Sequence, residues 1–310
     1  METETIFHAY QPLVFSLAYN MLGSVMDAED CVQETFLRWE RAKARGETQA
    51  IHVPRAFLCT IATNWCLDHL RKARVKRETS ISTWLPEPMV SADFEEQVER
   101  AETLSVAFLR LLEQLSPLER AVFLLRQVFD YGYDEIARIV GKSEHSCRQI
   151  IYRARQHLAS KRPRYPVSQK QHERFLHGLL QASSQGDMQA LLDLLAEDVR
   201  LYSDGGELRV PMPLHGAAEV IRYLLTVVER ISRETEWSWK LATVNGQPGV
   251  IVHAYGRVDA VVTCELLKER IQEIDVIANP EKLRHLHERM EGRKTNANAL
   301  LETRRWNDCF

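Results

Sequence analysis

Two proline-containing stretches interrupt the helical periodicity of this chain and divide its 310 residues into three segments. The first stretch is Trp84-Leu85-Pro86-Glu87-Pro88 and the second is Arg162-Pro163-Arg164-Tyr165-Pro166. Each proline disfavours the helical conformation of the residue before it, so neither stretch continues a helix. Trp84 and Leu85 are unusual in a linker, because exposed apolar side chains prefer a binding groove to water. A chain of this length accommodates two or three compact units, and the two stretches predict the boundaries between them.

The first segment, residues 6 to 78, shows helical spacing of apolar residues throughout. Gly23 is expected to end a first helix, and Asp27 is a good N-cap for a second. Pro54 is expected to open a third helix, at a position where its missing N–H costs little. The segment therefore predicts a small all-helical domain.

The second segment contains the spacing of a helix-turn-helix between Tyr133 and Ser160. A strong helix start precedes it, because Ser116, Pro117 and Glu119 have the pattern of a capping box with proline at the first helical position. Gly141 supplies the sharp turn of the motif. The outer face of its second helix carries polar and basic side chains: His145, Arg148, Gln149, Tyr152 and Arg153. Such a face reads base edges and grips phosphates in DNA-binding proteins, whereas the alternative is an ordinary helical hairpin.

A second polar face lies on the helix that follows Pro54. Asn64, Asp68, Arg71 and Lys72 share one side of that helix, and a basic extension containing Arg74 follows them. An Asn and an Asp can hydrogen-bond bases, while the basic extension can hold phosphates. The net charge of −3 hides these two basic patches. Together they indicate two contacts with an anionic polymer, although either patch alone is typical of a solvated surface.

The third segment, beyond about Val167, predicts an α+β domain. Helical patterns come first, and four strand-like runs, which indicate an antiparallel meander, follow between Trp237 and Ile277. Asn245-Gly246 is a strong hairpin signal between the first two of these runs. The last twenty residues, rich in Arg, Asn and Thr, are expected to form a loose tail.

Other features argue against several classes of protein. The six cysteines are scattered, with no CxxC pair and no spacing suited to zinc, so we expect reduced, buried thiols and no metal. No cofactor motif is present. The N-terminus lacks the features of a signal peptide, and the apolar runs are too short to span a membrane. We therefore expect a cytoplasmic protein with no membrane partner.

Four motifs make the first two segments resemble a known family. The run from Asp27 to Trp39 and the run from Arg55 to Arg71 look like domain 2 of extracytoplasmic-function sigma factors, which belong to the sigma-70 family. Leu115 to Arg120, followed by Tyr133 to Ala137, is similar to sigma domain 4. The resemblance covers residues 6 to 162 in the expected order. It implies a non-enzymatic subunit that directs core RNA polymerase to promoters and initiates transcription.

The family resemblance also implies roles for the exposed faces. Asp30, Gln33, Glu34 and Arg38 would dock on the clamp helices of the largest polymerase subunit. The −10 promoter element would be read and opened by Asn64, Asp68, Arg71, Lys72 and Arg74, together with the preceding loop from Arg45 to Val53. The −35 element would be read as duplex by His145, Arg148, Gln149, Tyr152 and Arg153.

The third segment resembles the SnoaL-like cone fold, which one sigma subgroup carries at its C-terminus. Three signatures of that subgroup are present: Trp84-Leu85-Pro86-Glu87-Pro88, Asp204-Gly205-Gly206 and Asn279-Pro280-Glu281-Lys282-Leu283. The subgroup usually has a third glycine where this chain has Glu207. The resemblance implies that the C-terminal domain contacts the sigma core through the linker and tunes its activity.

These inferences predict the following domain boundaries. Sigma domain 2 occupies 1–79, a linker 80–101, sigma domain 4 102–162, a second linker 163–170, the SnoaL-like domain 171–290 and the tail 291–310. The expected fold class is thus multidomain, with two all-α domains followed by an α+β cone.

Two alternatives remain open at this point. The C-terminal cone could bind a small molecule or act as a cyclase or isomerase, for which Tyr202, Asp204, His253 and Asp275 are candidates by residue type only. The chain could also be a stand-alone helix-turn-helix regulator, although this leaves the first segment unexplained.

Overall fold

The computed structural model of the chain describes residues 3–46, 54–77, 84–90, 104–159, 168–205 and 213–294, with side chains described to Lys72 in the third helix and to His287 in the last. These residues form two compact units. The first contains the helices up to residue 77 and the chain from Phe108 to the end of the helix-turn-helix. The second contains the linker residues 84–90, Ser105–Ala107 and all elements from residue 168 onward.

Three helices open the first unit: α1 (Thr3–Leu22), α2 (Val25–Ala44) and α3 (Pro54–Arg77). Gly23 ends α1 in a left-handed conformation with φ 67°, as expected. The prediction that Asp27 caps α2 is wrong. Ser24 is the N-cap, because its Oγ accepts the backbone N–H of Asp27 at 3.1 Å and α2 begins directly after it.

The rest of the first unit consists of α4 (Val106–Leu112, of which Phe108–Leu112 belong here), α5 (Pro117–Gln127), α6 (Tyr133–Val140) and α7 (Glu144–Ala159). The predicted capping box of α5 is confirmed, since Ser116 and Glu119 exchange side-chain and backbone hydrogen bonds. Gly141 takes the left-handed conformation between α6 and α7, with φ 64° and ψ 41°. The helix-turn-helix is therefore present at the predicted position.

A buried arginine joins the early and late helices of the first unit. The Arg120 guanidinium donates to the carbonyl of Met21 at 2.7 Å and to the carbonyl of Leu112 at 3.0 Å, and it forms an ion pair with Glu113. Only 3% of Arg120 is exposed. A buried charge is tolerated when it is paired and hydrogen-bonded, so Arg120 holds the end of α1 against α4 and α5.

The second unit is built on one mixed sheet of six strands. Its elements are α8 (Gln169–Gln185), α9 (Met188–Leu194), β1 (Leu195–Ser203), β2 (Leu214–His215), α10 (Ala217–Glu234), β3 (Trp237–Val244), β4 (Gln247–Ala254), β5 (Arg257–Leu267), β6 (Arg270–Ile277) and α11 (Pro280–Lys294). The strand order is β2-β1-β6-β5-β4-β3. The predicted antiparallel meander from β3 to β6 is confirmed, whereas the parallel pairing of β1 with β6 was not anticipated.

The two faces of this sheet bury different parts of the chain. One face packs against α8, α9 and α10, which contribute Leu176, Leu191 and Val220 to the larger apolar core. The other face packs against α11 and against the linker residue Leu85. The predicted α+β architecture is therefore confirmed, and the linker forms part of it.

The start of the predicted tail is helical. Because α11 extends to Lys294, residues 291–294 are not loose; residues 295–310 lie outside the described part of the chain. Among the helices that the structure describes, none combines the length and apolar character that crossing a membrane requires.

Candidate functional site

The recognition helix α7 presents the predicted polar face to solvent. His145, Arg148, Gln149, Tyr152 and Arg153 are all exposed, and Tyr152 is 64% exposed. The opposite face is buried through Cys147, Ile151, Ala154 and Leu158. Ser143 Oγ accepts the backbone N–H of Ser146 at 3.2 Å and so caps the helix. The five predicted −35 residues therefore lie on one accessible side of α7.

Contacts within the motif hold three of these side chains in place. The Arg148 guanidinium lies 4.3 Å from the centroid of the Tyr133 ring, within the range of a cation–π interaction, and 3.5 Å from Glu144. His145 and Gln149 are hydrogen-bonded at 3.0 Å. Tyr133 belongs to the first helix of the motif and was missed as a functional residue, because sequence spacing along α7 gives no information about a ring on α6.

The predicted −10 face is exposed on α3. Asn64, Asp68, Arg71 and Lys72 are all solvent-accessible, and Arg71 is paired with Asp68 at 2.9 Å. This ion pair joins two members of the face to each other. The side chain of Arg74 and the loop residues 47–53 lie outside the described part of the chain.

The predicted polymerase-binding face lies on α2. Asp30, Gln33 and Arg38 are exposed and Glu34 is half-buried, with a Glu34–Arg38 ion pair at 2.7 Å. Two large apolar side chains flank these residues on the same helix, since Met26 is 50% and Leu37 52% exposed. Both were missed as site residues, although their spacing from Asp30 and Gln33 puts all four side chains on one stripe of the helix.

The linker residue Leu85 is completely buried in the second unit. It belongs to an apolar cluster with Val106, Val244, Ile251, Val258, Val261, Ile277, Leu283 and Leu286. Pro86 and Pro88 are also buried, while Trp84 and Glu87 are half-buried. The structure thus brings the linker motif and Leu283 of the third signature into one core.

A buried ion pair fixes the linker backbone beside this core. Lys282 Nζ lies 2.6 Å from Asp204 Oδ2 and also donates to the Leu85 carbonyl. The other carboxylate oxygen, Asp204 Oδ1, accepts the backbone N–H groups of Ala278 at 3.0 Å and Asn279 at 3.2 Å. Both oxygens of Asp204 are therefore engaged, which satisfies a side chain only 1% exposed.

The signatures around Asp204 meet because Gly205 allows close backbone approach. A Cβ at Gly205 would lie 2.6 Å from the carbonyl carbon of Ala278 and from the backbone nitrogen of Asn279. Asn279 is half-buried, and its side chain accepts the N–H of Glu281, while Pro280 is exposed at the start of α11. Gly206 and Glu207 lie outside the described residues.

Two further residues that the sequence analysis missed contact the linker. His285 Nε2 lies 2.9 Å from the Pro88 carbonyl oxygen. Asn245 makes two hydrogen bonds with the backbone of Met89. A helical spacing of three residues from Lys282 points to His285, whereas no local signal connects Asn245 with a residue 156 positions away.

The second unit also contains a cavity of about 540 Å³, whose lining includes Arg230, Glu234, Tyr255 and His287. Of the described residues that line it, none is among the four acid–base candidates of the sequence analysis. Tyr202 and Asp275 are register partners on β1 and β6, and His253 lies on β4. Both carboxylate oxygens of Asp204 are hydrogen-bonded, one to Lys282 and the other to backbone N–H groups.

The described cysteines are buried, and none of them forms a disulfide. Burial raises the pKa of Cys59 to about 11 and holds the pKa of Cys66 well above its ordinary value. A raised pKa keeps a thiol protonated and unreactive. No group of metal-ligating side chains occurs among the residues that the structure describes, and Cys309 lies outside them.

Comparisons with known proteins agree with this geometry. The family model for sigma-70 region 2 matches residues 6–76, and that for sigma-70 region 4 matches residues 105–158. The chain is 32% identical to the ECF RNA polymerase sigma factor SigJ of Mycobacterium tuberculosis, over 89% of this chain and 91% of that protein. It is 29% identical to the probable sigma factor SigI of the same species, over 92% and 96%.

A solved structure extends the similarity to the whole fold. The crystal structure of M. tuberculosis SigJ matches with a TM-score of 0.72 and 28% identity, covering 90% of this chain and 98% of that one. The sigma region 2 and the helix-turn-helix of region 4 together define a transcription initiation subunit. A C-terminal unit of mixed helix and sheet follows them. The chain belongs to the extracytoplasmic-function family of RNA polymerase sigma factors, which direct core polymerase to promoters.

Replacing Gly205 with alanine is expected to lower the free energy of unfolding of the C-terminal unit by about 1–3 kcal/mol. The new methyl group would meet backbone atoms that cannot move independently. Urea unfolding of the intact chain, with hydrogen exchange to locate the effect at the β6–α11 junction, measures it. Gly178→Ala is the matched control, because its nearest neighbour is the flexible end of Leu194 at 3.3 Å. Equal effects of the two substitutions would contradict the close approach at Gly205.

Proposed function

We propose that three separate faces of the first unit bind core polymerase, the −10 element and the −35 element. The observation that carries this division is the chemistry of the faces. The α2 face combines acidic groups with exposed apolar side chains, whereas the α3 and α7 faces combine amides with basic groups. DNA repels the first kind of face and attracts the second.

The α2 face has the composition of a protein interface. Asp30 and Gln33 lie between Met26 and Leu37, whose exposed apolar area is stabilised by burial against a partner. The Glu34–Arg38 ion pair at 2.7 Å restrains two long side chains before binding, which lowers the entropic cost of docking. We therefore assign Asp30, Gln33, Glu34 and Arg38 to the clamp helices of the largest polymerase subunit.

Loss of two carboxylates tests this assignment. The double substitution Asp30→Ala/Glu34→Ala should weaken binding to core RNA polymerase at least tenfold, because docking then lacks both charges. Co-elution of the purified chain with core polymerase, followed by titration, measures the effect. Glu229→Ala is the control, because it removes an exposed carboxylate from a similar ion pair, with Arg233 on α10 of the second unit, and should leave the affinity within about twofold. Normal binding by the double variant would exclude the α2 face as the docking surface.

The α7 face is suited to duplex DNA because one of its arginines is held in position. Stacking of Arg148 on Tyr133 restrains the guanidinium above the face, and a restrained guanidinium loses less entropy when it binds a guanine edge or a phosphate. On α3, Asn64 can hydrogen-bond a base while Lys72 contacts the backbone. We assign the α7 face to the −35 element and the α3 face to the −10 element.

Reciprocal substitutions separate the two DNA contacts. Arg148→Ala should make promoter binding by the holoenzyme about tenfold weaker and nearly insensitive to base changes in the −35 element, while −10 changes keep their effect. Asn64→Ala should show the opposite pattern. Each variant is therefore the control for the other. Competition titrations with mutated promoter fragments measure the affinity of the holoenzyme and its sensitivity to base changes in each element. If neither variant changes the sensitivity of promoter binding to base changes in the two elements, the assignment is contradicted.

We further propose that the C-terminal unit regulates the sigma core by holding the linker, and not by catalysis. This proposal is supported by the burial of Leu85 at 0% exposure and by the Lys282 bond to its carbonyl. Because Asp204 uses both oxygens to maintain this contact, it is not available as a general base. The linker joins the two DNA-binding regions, so holding it restricts how far apart they can move.

Removing the Leu85 side chain tests the regulatory contact. Leu85→Ala should destabilise the bound linker by about 2–5 kcal/mol. Amide exchange of residues 84–90 should therefore accelerate, and transcription from a cognate promoter should change by threefold or more. Leu192→Ala is the control, since Leu192 is 40% exposed on α9 of the same unit. If the exchange accelerates but transcription matches the control, the linker contact is structural only.

A further inference from the structure

The cavity of about 540 Å³ in the second unit is lined by both apolar and charged side chains. It lies where the C-terminal end of α10, the turn between β4 and β5, and α11 come together. Its apolar lining consists of Val258, Ala278, Pro280 and Leu283. Its polar lining contains three basic side chains, two carboxylates and a phenol: Arg230, Arg257, His287, Glu234, Asp259 and Tyr255. Apolar walls with a few polar groups in a volume of this size are typical of a small-molecule site.

The polar groups of the cavity differ in whether they already have partners. The Tyr255 hydroxyl donates to the Glu234 carboxylate at 2.6 Å. Arg230 and Asp259 also have interaction partners. By contrast, the side chains of Arg257 and His287 form no hydrogen bond or ion pair with any residue that the structure describes. The groups of this cavity that can still take a partner are therefore basic.

Further positive charge lies beside His287. Burial lowers the pKa of His253 on β4, and so does the nearness of Lys240 and His287. The register of β3 and β4 puts Lys240 opposite Ile251, two residues before His253, so both basic side chains belong to the sheet face that α11 covers. A negative charge near His287 would be attracted by this group of residues.

We propose that the cavity binds a small organic acid, whose carboxylate pairs with Arg257 and His287 while its apolar body contacts Val258 and Leu283. A guanidinium matches a carboxylate well, because two parallel N–H groups can donate to its two oxygens. A neutral ligand would leave the two basic groups without a counter-charge. A cationic ligand would have to displace the Tyr255 hydroxyl from Glu234. The chemistry of the lining thus selects an anion with an apolar body.

The same cavity shares part of its wall with the core that holds the linker. Val258 and Leu283 line the cavity and also belong to the apolar cluster that buries Leu85. Lys282, the neighbour of Leu283, holds the Leu85 carbonyl. A ligand favours the state in which the residues that it contacts are in place. Binding of the acid should therefore stabilise the held linker. This consequence rests on the proposed regulation through the linker, whereas the binding site itself does not.

Matched pairs of acids and amides test the site. Calorimetric titration of the intact chain with phenylacetate and with hexanoate should give dissociation constants of about 1 mM or tighter. Phenylacetamide and hexanamide should bind about tenfold more weakly, because they lack the charge. Arg257→Gln should abolish this preference for the acids. Arg284→Gln is the matched control, since Arg284 is an exposed arginine of α11 that is not part of the lining. Failure of both acids to bind, or an unchanged preference in Arg257→Gln, would overturn the proposal.

Hydrogen exchange of the intact chain tests the effect on the linker. With phenylacetate at about ten times its dissociation constant, exchange in a peptide covering residues 84–90 should slow about threefold or more. The slowing should also occur in Arg284→Gln and should be absent from Arg257→Gln at the same concentration. Binding without slower exchange would overturn the coupling to the linker. The proposed regulation fails separately, if Leu85→Ala leaves transcription unchanged.

Discussion

The Lys282–Asp204 ion pair joins three parts of the chain that are far apart in sequence. Asp204 follows β1, Lys282 lies in the first turn of α11, and the carbonyl that Lys282 holds belongs to Leu85 in the linker. Buried ion pairs repay their desolvation only when further hydrogen bonds satisfy both partners. Here the backbone at Ala278 and Asn279 supplies them, and Gly205 leaves the space that this backbone needs. The linker site therefore depends on every partner being present.

The exposed faces of the first unit are organised differently, through pairs of residues close in sequence. Glu34 with Arg38, Asp68 with Arg71, and His145 with Gln149 are each one helical turn apart. Such pairs contribute little to stability at a surface, but they restrain side chains on the faces proposed to bind partners. Contacts over longer separations occur beneath these faces, where Arg120 holds α1 against α4 and α5.

Local patterns were sufficient to predict the helix-turn-helix, the capping box at Ser116 and the meander from β3 to β6, because each depends on residues near one another in sequence. The error at Asp27 arose where two capping residues compete, since the left-handed Gly23 places Ser24 at the helix start. The parallel β1–β6 pair and the contacts of Tyr133 and Asn245 depend on tertiary packing. The spacing of residue types along the sequence gives no signal for such contacts. The linker signatures were recognisable only by family resemblance, which does not reveal their hydrogen bonds.

The position of Leu85 also limits how this protein can be divided or recombined. The linker lies between sigma region 2 and sigma region 4 in sequence, but its Leu85 side chain belongs to an apolar core of the C-terminal unit. A protein truncated after the helix-turn-helix would keep the apolar linker segment without the core that buries it. An isolated C-terminal domain would lack the side chain that fills its apolar groove. An exchange of C-terminal domains between related proteins would have to transfer the linker as well. The linker and the C-terminal unit therefore form one structural unit, although the helix-turn-helix separates them in the sequence.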